Sequence, residues 1–146
     1  MKKWLSVILS IVMLCTVLGG GASFAFAATA ATSGSCGDNI KYNIDTGTGV
    51  LTLTGSGATN NYSNMNVNFG SSIKRCPWYN SRDSIKRVVI SEGVTVLGNY
   101  LFFEMTSVQT VILPSTVTEV NRYAFAGCTV LSTVNLQDTK ITKIGL

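Results

Sequence analysis

Apolar positions fall in the same places twice between Ser84 and Thr129. Set without a gap, Ser84–Thr106 lies on Ser107–Thr129, so that Ile85 meets Val108, Val88 meets Val111, Ile90 meets Leu113, Val94 meets Val117, Leu97 meets Val120, Tyr100 meets Tyr123 and Phe102 meets Phe125. A third copy starts at Val130, with Leu131, Val134 and Leu136 in register. It gains one residue, after which Ile141, Thr142, Ile144 and Gly145 match Val94, Thr95, Leu97 and Gly98. Self-similarity with a period in the twenties predicts stacked coils of a solenoid. Within a coil, alternation predicts a short strand with Val88 and Ile90 inward and Arg87, Val89 and Ser91 outward. Val94–Leu97 is a second extended stretch, and Tyr100–Phe103 and Tyr123–Ala126 are predicted bends of one helical or 3-10 turn.

The pattern upstream is different. Ile40–Ile44 and Val50–Thr54 each alternate, with the turn segment Asp45-Thr46-Gly47-Thr48-Gly49 between them. They predict a β-hairpin. Gly55-Ser56-Gly57 ends its second strand, Asn60–Ser72 reads as a loop carrying Tyr62, Met65, Val67 and Phe69, and Ser81–Ser84 as a short helical turn. A solenoid exposes an apolar cross-section at each end, so the hairpin with Trp78 is the expected N-terminal cap. The resulting expectation is a β-dominated solenoid (84–106, 107–129 and a partial 130–146), with short helical or 3-10 turns, a capping unit over 34–83 and an incomplete C-terminal repeat. The shortened third copy suggests a truncated chain, end-to-end self-association or marginal stability.

Residues 1–33 stand outside this pattern. Lys2-Lys3, the apolar run Trp4–Leu18, three glycines and Ala25-Phe26-Ala27 predict a secretory signal peptide over 1–27, followed by a linker over 28–33. Removing Lys2 and Lys3 takes the net charge from +4 to +2, so the basic balance is partly targeting. No dense basic stripe remains for nucleic acid or an anionic membrane. Three cysteines stay in the mature chain. Cys128 shares a column with Met105 and is expected in the core; Cys36 with Cys76 is the pair that would form any disulfide, two unpaired core thiols being the alternative.

The chain has no histidine, which removes Ser-His-Asp and Cys-His catalysis and most zinc and copper sites. Glu92 and Asp138 share a column two coils apart, too distant for a glycosidase pair. Asp45-x-Gly47-x-Gly49 lacks the alternating acids and closing Glu of a calcium loop. Neither enzyme activity nor a cofactor is expected.

The columns resemble the bacterial leucine-rich repeats of the BspA / Treponema pallidum type. Copy two carries that pattern as Val108, Val111, Leu113-Pro114, Val117-Thr118, Val120, Ala124-Phe125 and Gly127-Cys128. Copy one departs from it at Ser91, Leu101 and Glu104-Met105. The cap resembles the usual start of such proteins in Cys36-Gly37, Gly49–Gly57 and Pro77-Trp78. The resemblance implies a leucine-rich-repeat fold and a secreted or cell-wall surface protein of a host-associated bacterium or a protist, used for adhesion or protein binding.

The candidate binding residues are the outward ladder: Arg87, Thr110 and Thr133; Val89, Ile112 and Asn135; Ser91 and Gln137. Val89 with Ile112 is its apolar centre and Arg87 its anchor. The expected partner is a protein or glycoprotein of a host or cell surface, with no nucleic acid and no membrane after leader cleavage. The alternatives are a spacer in a larger surface protein and carbohydrate binding through Trp78, Tyr79 and Tyr62.

Overall fold

The computed structural model describes residues 31–63 and 74–145. The expected signal peptide, the first half of its linker and the loop residues Met65, Val67 and Phe69 lie outside the described residues. Among these residues ten strands form two sheets: β1 Ser33–Ser35, β2 Ile40–Asp45, β3 Val50–Gly55, β4 Gly57–Ala58, β5 Arg87–Ile90, β6 Val94–Leu97, β7 Thr110–Ile112, β8 Glu119–Val120, β9 Thr133–Val134 and β10 Lys143–Ile144. Two 3-10 helices, Tyr79–Ser84 and Leu136–Asp138, complete the elements. The first sheet runs β1-β2-β3-β5-β7-β9 and the second β10-β8-β6-β4. No helix among the described residues is long and apolar enough to cross a membrane.

The coils stack in the register that the repeats predict. Val88 pairs with Val111, which pairs with Val134, and Leu97 pairs with Val120, which pairs with Ile144. The inward residues Val88, Ile90, Val94, Leu97, Phe102, Val111, Leu113 and Val117 are buried. Phe102 lies over Phe125 with ring centroids 5.2 Å apart, and Tyr100 over Tyr123 at 5.0 Å. The additional residue of the third copy falls between Leu136 and Ile141, where the chain forms a 3-10 turn before regaining register at β10. On the outer end of this coil Val130, Leu136 and Ile144 are exposed.

One local expectation is corrected, and two short strands join those that the pattern predicts. The bends are not helical turns: Tyr100, Phe102 and Glu104 donate their N–H groups to the carbonyls of Arg122, Ala124 and Ala126 in the next coil. Peptides bonded sideways cannot also build a helix, so the bends are successive tight turns with Tyr100, Glu104 and Tyr123 at positive φ. The second hairpin strand ends at Gly55, as the Gly55-Ser56-Gly57 segment predicts, and Gly57–Ala58 forms a further strand that opens the second sheet against β6. At the other edge of the hairpin β1 adds an antiparallel strand to β2, with Ser33 opposite Asn43.

Side-chain rungs join the coils where the strands stop. The Thr59 Oγ1 accepts the Gly98 N–H at 2.8 Å, the Asn61 Oδ1 accepts that of Asn99 at 2.8 Å, and the Asn99 Oδ1 accepts that of Arg122 at 3.0 Å. Each rung satisfies a peptide group that would otherwise be left unpaired between coils.

Cys36, Cys76 and Cys128 are free thiols, so the bridge considered for Cys36 and Cys76 is not formed. Burial pushes the Cys36 and Cys76 thiols up to about 12 from an ordinary 9.0. Cys128 is only partly buried, and its Sγ donates to the Phe102 carbonyl at 3.1 Å. Between pH 9 and 12 the thiols of the unfolded chain ionise while Cys36 and Cys76 stay protonated in the fold. The unfolded state then binds fewer protons, so stability is complete below about pH 9 and declines as pH rises towards 12. Urea midpoints at neutral, pH 9 and pH 10.5 are expected to fall only across the upper interval. The fall should be smaller in the Cys36→Ala/Cys76→Ala variant; the same slope in both proteins would remove the thiols from the account.

Candidate binding face

The outward side of the first sheet is set by the alternation that buries Val88, Ile90, Val111 and Leu113. Residues facing away from that core form continuous rows, because β3, β5, β7 and β9 are parallel and in register. One row is Asp45, Val50, Arg87, Thr110 and Thr133. The next is Ser33, Asn43, Thr52, Val89 and Ile112. The face is thus wider than the repeat ladder, because the hairpin cap contributes Val50 and Thr52 to it. The alternation of Val50–Thr54 placed these two residues opposite Leu51 and Leu53. What the sequence lacked was any sign that β3 pairs with β5.

Of the sequence-derived ladder, Arg87, Val89, Thr110, Ile112 and Thr133 share these rows. The others do not join them as strand residues. Asn135 lies beyond β9, and both ends of its amide are taken by Leu113: Oδ1 accepts the Leu113 N–H at 2.7 Å and Nδ2 donates to its carbonyl at 3.0 Å. Ser91 is half-buried just past β5, its N–H bonded to the Leu53 carbonyl. Gln137 sits exposed in the 3-10 turn Leu136–Asp138.

The charges around the face differ in how they are held. Asp45 accepts N–H groups from Gly47 at 2.9 Å and Thr48 at 3.3 Å, and hydrogen bonding by Thr48 and Gly47 holds its carboxyl below the ordinary carboxylate value. This is an Asx-type turn at the hairpin tip. Glu92 accepts the Ser115 N–H at 3.0 Å and its Oγ–H at 3.2 Å, which holds its carboxyl low as well. Glu92 therefore clips two coils together. Arg87 is exposed, and its side chain joins no hydrogen bond or ion pair among the described residues. Its row neighbours are Val50 and Thr110, with Val89 two residues along its own strand.

The aromatic residues weighed for carbohydrate are placed elsewhere. Trp78 is fully buried against Tyr42, Tyr62 and Phe102, and Tyr62 is buried with it. Tyr79 carries Arg75 at 4.0 Å and Arg82 at 4.2 Å over its ring, and its hydroxyl donates to Glu104 Oε2 at 3.0 Å. None of the three offers an open ring face for a sugar. Among the described residues, no group of three or more Cys, Asp or Glu is placed to hold a metal ion.

Coils of one strand and one return, stacked on a shared aromatic column and presenting a flat outer sheet, define a leucine-rich-repeat solenoid. The chain belongs to the BspA-type leucine-rich repeat family: the model described as "BspA type Leucine rich repeat region (6 copies)" matches residues 71–146, just over half of it. Among solved structures it is similar to a leucine-rich repeat protein from Eubacterium ventriosum ATCC 27560, at 29% identity and a TM-score of 0.62, over 79% of this chain and 28% of that one. It also matches a leucine rich cell surface protein from Faecalibacterium prausnitzii A2-165, at 22% identity and a TM-score of 0.43, over 73% of this chain and 31% of that one. The chain therefore spans less than a third of the length of either structure. The comparison with curated proteins returns no match.

Proposed function

We propose that this chain is a secreted or cell-surface protein-binding module that engages its partner through the outward face of the six-stranded sheet. The observation that carries this reading is Arg87: an exposed guanidinium without an internal partner, on a rigid strand, next to Val50, Val89 and Thr110. Arginine beside apolar side chains is the composition of an interface anchor. A hydrogen-bonded sheet fixes these groups in advance, so binding orders little backbone. Membership of the BspA-type leucine-rich repeat family supports a binding role for the sheet.

The test is binding of the purified mature protein to surface proteins blotted from host cells, with Arg87→Ala and Ile112→Ser compared against Thr142→Ala, just before β10 and away from this face. Each face variant is expected to weaken binding by about 30-fold, the equivalent of ~2 kcal/mol at an anchor. The Thr142 variant should bind as the parent does. Equal binding by all four proteins would move the site off this face.

A further inference from the structure

We infer that the partner presents an acidic segment: a carboxylate laid on Arg87, with an aliphatic or aromatic side chain beside it on Val50, Val89 and Ile112. The inference rests on the face proposed above and adds the chemistry of what occupies it.

Three observations lead there. The first is the imbalance of available charge. Asp45 and Glu92, the acids nearest these rows in the sheet and its turn, already accept two or more hydrogen bonds within the fold. Lys86, next to Arg87 in the chain, is exposed and joins no ion pair among the described residues. Both carboxylates stay charged, but their hydrogen bonds lie within the fold and no ion pair joins either to Arg87, so its guanidinium is open to a carboxylate from outside. The second is geometry. A guanidinium is a planar fork that takes a carboxylate through two parallel hydrogen bonds, and an apolar surround strengthens that pair by keeping water from it. The third is the ridge itself. Val50, Val89 and Ile112 are half-buried and occupy neighbouring strands, so a ligand that reaches Arg87 also passes over aliphatic surface. A sulfated polysaccharide would favour a longer line of cations and gain little from that ridge. A neutral glycan would favour an open aromatic ring, and none lies in these rows.

The test is an amide-resolved NMR titration of the mature chain with acetyl-Leu-Glu-Leu-Glu-Leu-amide, the matching Leu-Gln peptide and a heparin hexasaccharide. The Glu peptide is expected to shift the amides of Val50, Arg87, Val89 and Thr110, and to bind at least ~10-fold more tightly than the Gln peptide, with the difference shrinking as salt rises. Arg87→Ala should abolish the preference, while Arg87→Lys should keep part of it, as a point charge without the fork. Equal shifts from both peptides on these amides would overturn the acidic partner and leave the face standing. Shifts from the hexasaccharide alone would replace the peptide with a polyanionic glycan. Shifts confined to the second sheet, or no shift from any of the three, would overturn this inference and count against the face.

Discussion

Trp78→Ala is expected to leave the chain largely unfolded at 25 °C, whereas Trp78→Phe should keep it folded. Trp78 is fully buried, with its ring 5.3 Å from Tyr42, 6.4 Å from Tyr62 and 5.9 Å from Phe102. Phe102 continues the column to Phe125 at 5.2 Å. One indole thus joins the hairpin cap to both complete coils. Truncating such a ring to alanine costs ~3–5 kcal/mol through lost burial and the cavity left behind. Small domains hold only about 5–15 kcal/mol in total, and repeat stability depends on the interface between neighbouring units. Losing the cap therefore removes support from the first coil as well. The Trp78 Nε1 has no hydrogen-bond partner among the described residues, so phenylalanine forfeits ring area but no polar contact. Circular dichroism and urea titration of the three proteins decide the matter. A loss below about 1 kcal/mol in the alanine variant would show that the cap and the coils are stable separately.

Most of the fold could be read from spacing, because a solenoid repeats its core. Once Val88 was set on Val111 and Phe102 on Phe125, inward and outward sides followed, and both pairs lie in contact as the columns require. The bends escaped for a physical reason. Their aromatic pattern also fits one turn of helix, and only the lateral bonds from Tyr100, Phe102 and Glu104 to the next coil exclude it. No residue type marks a backbone donor as pointing sideways, and tyrosine at positive φ is uncommon enough that sequence does not suggest it. The short strand β4 escaped because two residues, one of them glycine, carry no alternation.

The candidate face could be read in part. Register alone placed Arg87, Val89, Thr110, Ile112 and Thr133 correctly in rows, since rows are what a parallel sheet makes of a repeat. Asn135 followed the same column and yet serves the coil, because an amide just beyond a strand end can replace the missing backbone pair, as it does with Leu113. Val50 and Thr52 were missed because they precede the first repeat. Their side was legible and their neighbours were not. Long-range pairing between a non-repeating cap and the first coil leaves no periodic trace.

Gly55→Ala is the second substitution expected to cost most, and Gly57→Ala separates its two causes. Gly55 stands at the corner where β3 leaves the first sheet, at a φ of +121° that residues with a side chain rarely adopt. A Cβ built there would collide with the carbonyl oxygen of Asn39, which is backbone and cannot swing aside. The carbonyl belongs to the chain entering β2, and Ile40 is the residue that pairs with Gly55. Relief would have to come from prying that pairing apart. Gly57 shares the strained backbone, at a φ of +94°, but has open space around the added Cβ. Backbone strain alone costs ~1–3 kcal/mol, and a forced displacement in a packed site adds about the same again. Gly57→Ala should therefore lose ~2 kcal/mol and Gly55→Ala ~4 kcal/mol in urea denaturation. The difference measures how tightly the first hairpin strand is held against this corner. Equal losses would mean that the hairpin yields at no cost, so that its register, and with it the position of Val50 and Thr52 beside Arg87, is fixed by β5 rather than by the close approach at Gly55.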